Sequence, residues 1–212
     1  MPDPLPQMTR ATLRSDAREN RDRVLESARE LFAERGLDVT MREIARRAEV
    51  GPATLYRRFP TKQALVDEAF GHELRACRAI VQEGAADPDP WRGFCSVVRR
   101  VGELNARNHG FVDAFLSAHP GATDFTAHRA ELLGMLADLC RRAQQAGAMR
   151  PDVVLDDLVL VIMAGRGLTA TSDRVRLAAA RRFSALAVEG FRAGGASGPL
   201  PPVARVAGSL LR

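Results

Sequence analysis

Residues 39–65 read VTMREIARRAEVGPATLYRRFPTKQAL, and the organisation of the chain follows from how this stretch folds. Thr40 and Glu43 stand in the T-x-x-E spacing of a capping box, in which the two side chains satisfy free backbone amides reciprocally. Val39 before the cap and Ile44 at the fourth helical position fit a hydrophobic staple. Ile44, Ala45 and Ala48 supply a buried stripe, so the pattern predicts a short helix over 41–48. Glu49 and Val50 make a tight turn. Gly51 can cap the next helix, and Pro52 suits its first position. The residue before a proline disfavours helical backbone, so Phe59-Pro60 ends it. Two short helices joined by a tight turn, behind a longer helix over 16–35, make a helix-turn-helix.

The faces of its second helix carry the chemistry. At about 100° per residue, Leu55 and Phe59 fall together and define the buried side. Ala53, Thr54 and Arg57 fall opposite, with Tyr56 and Arg58 on the flanks. A centre that is small or hydrogen-bonding, with phosphate-binding flanks, suits close approach to base edges in a DNA groove. Arg57 offers two bonds to a guanine, and Thr54 a contact to a thymine methyl. Thr40 and Arg42, opening the first helix of the pair, and Lys62, opening the helix after it, are placed to meet phosphates. Free amides and the dipole at helix starts favour anions there. Arg42, Arg46, Arg47, Arg57, Arg58 and Lys62 face only Glu43 and Glu49, so most of the net charge of +5 sits in this segment. Plainer roles stay open: Tyr56 as a cap on the head's core, Arg57 and Lys62 as solvated cations.

Together these positions resemble the signature of the tetracycline-repressor (TetR) family, and the Leu31-Phe32-x-x-x-Gly36 ending of the preceding helix agrees. The likeness covers about residues 18–70. Thr40, Tyr56 and Lys62 match phosphate-contacting positions of that family, and Ala53, Thr54 and Arg57 match its recognition-helix positions. Gly51-Pro52-Ala53 departs from a frequent Ser-x-Gly, and Arg58 from a frequent histidine or tyrosine, so the target sequence does not follow by analogy. The resemblance implies a ligand-responsive regulator, a repressor, binding a palindromic double-stranded operator as a homodimer. It implies an all-α chain with an arm (1–15), a three-helix DNA-binding head (16–65), a helical ligand-binding and dimerisation body (66–194) and a mostly disordered tail (195–212).

Composition agrees with an all-α fold: 46% of residues are hydrophobic but only 5% aromatic, with abundant alanine and leucine. Apolar periodicity predicts further helices over 61–83, 90–107, 111–117, 125–146, 156–168 and 173–192. The helix over 156–168 is apolar on nearly every side and needs burial all round, within the chain or against a second copy. Leu160, Met163, Phe183, Leu186, Ala187 and Phe191 are the expected dimer contacts. Trp91, Phe94, Phe111, Phe115, Met135 and Met163 are candidates for an apolar ligand pocket, with Asn105, Arg166, His109, His119 and His128 as polar contacts.

Cys77, Cys95 and Cys140 lie far apart with no CxxC, which fits core thiols in a reducing compartment rather than a disulfide framework or metal site. No G-x-S-x-G, P-loop, H-E-x-x-H or G-x-G-x-x-G occurs, and no metal or cofactor is expected beyond a small-molecule effector. No secretory leader or apolar run of membrane length is present, so the expected location is the cytoplasm, without a membrane partner. Two rival readings are an all-helical carrier that has lost DNA binding and a helical enzyme with an uncharted site. A gel shift separates the first reading from both.

Overall fold

The computed structural model describes residues 10–108, 111–112, 123–165, 167–168, 170–194 and 198–203. The chain divides into two compact units, Met1–Ala69 and Phe70–Arg212. Among the described residues every regular element is helical, apart from a single bridge between Met149 and Arg192.

The first unit holds α1 (Arg10–Arg35), a 3-10 turn (Gly36–Asp38), α2 (Met41–Arg47), α3 (Pro52–Arg58) and the opening of α4 (Lys62–Ala85). Helical backbone begins at Arg10, ahead of the predicted start, so residues 10–15 of the expected arm are helix. Residues 1–9 lie outside the described residues. α1 buries Val24, Leu25, Ala28, Leu31 and Phe32, spaced three and four apart along one face. Gly36 follows at φ +70°, a left-handed conformation that ends the helix at no steric cost to glycine.

The capping box forms as the sequence reads. Glu43 N donates to Thr40 Oγ1 at 3.3 Å, and Thr40 N donates to Glu43 Oε2 at 2.8 Å. Val39 and Ile44, the two halves of the staple, are 1% and 0% exposed. Burial of an Ile, Leu or Phe side chain contributes about 1.5–3 kcal/mol, so these few residues hold the short helices that their own hydrogen bonds cannot. The α2–α3 turn passes through Glu49 at φ 54°, a left-handed position usually given to glycine or asparagine. Val50 N closes the turn on Ala45 O at 3.0 Å.

The second unit takes the rest of α4 with α5 (Pro90–Arg107), α6 (Thr123–Gln145), α7 (Leu155–Gly165) and α8 (Asp173–Phe191). The predicted segment 113–117 lies outside the described residues. Asp89 caps α5 by accepting from Trp91 N at 3.0 Å and Arg92 N at 3.1 Å. α4 and α5 meet backbone to backbone where Gly84 faces Gly93. A Cβ on Gly93 would run into the Gly84 carbonyl, and a Cβ on Gly84 into Val97. α8 lies along α5, and the chain beyond it returns to the α6–α7 loop, with Ala193 N donating to Ala148 O at 2.9 Å. Trp91 stacks on Phe94 at 5.7 Å, Phe94 meets Phe191 edge-on at 5.5 Å, and the Arg192 guanidinium lies 5.1 Å from the Trp91 ring.

Candidate nucleic-acid interface and body cavity

α3 turns one face inward and leaves the other bare. Leu55 and Phe59 are each 1% exposed, whereas Ala53, Thr54, Tyr56, Arg57 and Arg58 are all exposed. The opposition follows from spacing alone, because residues four apart share a face and the intervening ones point away. Pro52 opens the helix without wasting a backbone donor, and Phe59 N closes it on Leu55 O at 2.8 Å.

The cations of the head fall into two groups. Arg47 reaches back to α1, where Glu30 and Glu34 accept at 3.0 and 3.1 Å, and these carboxylates raise its pKa. Arg42, Arg46, Arg57 and Arg58 are exposed and have no carboxylate partner among the described residues. Among the described residues no carboxylate neutralises these four members of the basic run. Lys62 also has a partner within the head: its ammonium donates to Leu37 O and is half-buried, tying the start of α4 to the 3-10 turn. Burial there lowers its pKa. An ammonium has three donors, so two remain for other acceptors.

Thr40 is exposed, but its hydroxyl is engaged, donating to Glu43 Oε2 at 2.7 Å. The Thr40 backbone N–H, the Thr40 hydroxyl and Arg35 hold the Glu43 carboxyl down from 4.5 to about 2. A folded-state value below the unfolded one means that this stabilisation is complete above 4.5 and is lost as pH falls toward 2. Glutamine can also serve in a capping box but does not titrate. The melting temperature of the head is therefore expected to fall more steeply over that range than it does in Glu43→Gln. Equal slopes in thermal melts of the two proteins would remove the carboxylate from this account.

The second unit encloses an apolar cavity bounded by α4, α5, α6 and α7 and by Phe111 and Val112. Its volume is about 40 Å³. Asn105 and Phe111, both expected there, line it. Trp91 and Phe94 do not. Their rings stack on each other, and Phe94 is filled in from its other side by Phe191. Met135 is half-buried away from the cavity, and Met163 packs against Leu133 and Val159. Phe115, Arg166, His109 and His119 lie outside the described residues. His128 Nε2 sits 2.9 Å from Arg78 Nη1. What sequence reading missed is the stripe of Val97, Val98 and Val101 on α5, whose short side chains leave the space open.

Of the expected dimer contacts, Leu160 and Leu186 are 40% and 60% exposed, while Met163, Phe183 and Ala187 are half-buried. Phe191 is a correction. It is 6% exposed and spends its ring on Phe94 within the same chain.

Two family models match. Residues 24–69 match the bacterial regulatory proteins of the tetR family, and residues 89–193 match the C-terminal domain of SbtR-like transcriptional regulators. The transcriptional repressor KstR of Mycolicibacterium smegmatis is 30% identical over 149 residues, which is 68% of this chain and 73% of that protein.

The chain belongs to the TetR family of transcriptional regulators.

KstR of Mycobacterium tuberculosis is also 30% identical, over 123 residues covering 57% of this chain and 56% of that one. Among solved TetR-family structures, SCO3833 of Streptomyces coelicolor aligns with TM-score 0.66 at 22% identity, over 80% of this chain and 90% of that one. The ketosteroid regulator KstR2 of Mycobacterium tuberculosis aligns with TM-score 0.60 at 24% identity, over 81% and 94%. These structural likenesses establish the TetR architecture of an all-α helix-turn-helix head and a helical body. Its relatives are regulators of transcription, and this TetR protein is a DNA-binding regulator rather than an enzyme. Among the described residues, no helix is long and apolar enough to cross a membrane.

Proposed function

We propose that this protein is a ligand-responsive repressor that binds a palindromic operator as a homodimer in the cytoplasm. The observation that carries the reading is the split character of α3: Leu55 and Phe59 hold it inward while Ala53, Thr54 and Arg57 stand bare. Each subunit sets α3 in a major groove, the two grooves lying about 34–36 Å apart on one side of the duplex. Arg42, Tyr56, Arg58 and the spare donors of Lys62 fix register on phosphates, with the Thr40 backbone end of α2 beside them. Arg57 and Thr54 read base edges. The repressor assignment draws on the two KstR proteins, which are repressors by name.

An effector enters the body and changes operator affinity through α4, whose residues belong partly to each unit. A coupling of about 1–3 kcal/mol changes that affinity about 5–150-fold.

Footprinting and fluorescence anisotropy on the DNA upstream of the protein's own gene test the reading. Arg57→Ala is expected to relax preference at one base pair in each half-site, at a cost of about 1–3 kcal/mol. Arg42→Ala is expected to weaken binding evenly across sequences and to reduce the salt slope by about one. Two variants that behave alike, or a wild-type protein that leaves this DNA unprotected, would count against the reading.

A further inference from the structure

Two cavities of the second unit share a wall. Beside the one already described, a smaller space of about 20 Å³ lies between α5, α7 and α8. Val98, Asn105 and Ile162 face both spaces. Asn105 is 9% exposed, and its amide makes no hydrogen bond to any described residue. A buried amide left without a partner costs about 1–3 kcal/mol, so one that persists calls for an explanation.

Water explains it poorly. A buried water needs two to four polar partners. In the larger cavity the described residues lining it around Asn105 are aliphatic or aromatic, save for the Cys77 thiol. Burial pushes that thiol up to about 12, as expected of a wall that solvates charge poorly. In the smaller space the one additional polar side chain among the described residues is the Ser184 hydroxyl. Charge fits no better. No lysine, arginine or histidine lines either space among the described residues, and an unpaired carboxylate there would bear its full desolvation cost.

We infer that Asn105 is the polar selector of the effector site, and that the effector is an uncharged, largely apolar molecule with an oxygen function partway along its length. The amide donates to a ketone or hydroxyl oxygen, or accepts from a hydroxyl, while apolar arms extend into the two spaces on either side. This inference rests on the ligand-responsive reading above and gives that ligand a chemical class.

Displacement of the uncharged dye N-phenylnaphthylamine from the full-length protein tests it, with octane, a mid-chain octanone and octanoate as competitors at neutral pH. The octanone is expected to displace the dye at about tenfold lower concentration than octanoate. Asn105→Leu, of similar volume, is expected to weaken the octanone about fivefold and leave octane unchanged, the loss of one hydrogen bond. Octanoate binding as tightly as the octanone in the wild-type protein overturns the inference without recourse to any variant. So does an Asn105→Leu protein that shifts octanone and octane alike, or failure of all three competitors. Operator binding measured with and without octanone separates the two levels. The expected ranking with unchanged DNA affinity defeats ligand response but leaves the Asn105 site standing. Failed displacement beside intact operator binding defeats the site alone.

Discussion

Leu55→Ala is expected to detach α3 from the head and abolish operator binding while the helices of the second unit persist. α3 has seven residues, too few to hold helical form by its own hydrogen bonds. Its attachment is Leu55 within the helix and Phe59 at its end, each 1% exposed. Truncating a buried leucine to alanine costs about 2–5 kcal/mol, against a total of about 5–15 kcal/mol for a typical domain. The loss falls on the smaller of the two units. Circular dichroism should show a new low-temperature melting phase, and gel shifts should show no specific complex. A variant that melts and binds like wild type would mean that the recognition surface does not depend on this anchor.

A second large effect is expected at the opposite end of the chain. Replacing Leu160 and Leu186 together with aspartate should convert the proposed dimer to a monomer and lower operator affinity by about 10²–10⁴-fold. That is the range lost when two linked binding events become independent. Leu186 is 60% exposed, and α7, apolar on nearly every side, still leaves Leu160 40% exposed. A chain that hid these residues by itself would not show them to solvent. Size-exclusion chromatography at micromolar concentration measures the assembly, and anisotropy on the operator measures the consequence. A wild-type protein that elutes as a monomer, or a double variant that remains dimeric, would refute the assignment of this face.

The head was legible because its signals are local. A capping box, a staple and a proline stop each act within five positions along the chain, and the inward pair Leu55 and Phe59 is set by one turn of helix. The head's exceptions come from contacts that sequence spacing does not record. Lys62 is drawn to Leu37 O, and Arg47 to carboxylates on α1, across long separations in sequence. Glu49 takes a left-handed conformation that nothing in its side chain announces.

The body was harder to read for a different reason. Periodicity tells which face of a helix is buried, not what it is buried against. Phe191 therefore read as part of an outward stripe, whereas its ring lies on Phe94. Trp91 and Phe94, both proposed for the pocket, instead fill space against each other and Phe191 and so make core. The cavity lies where short valines on α5 fail to fill it, and a void is a property of several helices at once. Asn105 was legible only as one of several polar contacts for a pocket.

The glycine pair at the α4–α5 crossing gives the body a remote means of retuning. Alanine at Gly84 would press on Val97, which is also part of the cavity wall, so a substitution outside the proposed effector site can reshape it. Divergence at this crossing would let related regulators acquire new inducers while every base-reading side chain stayed the same.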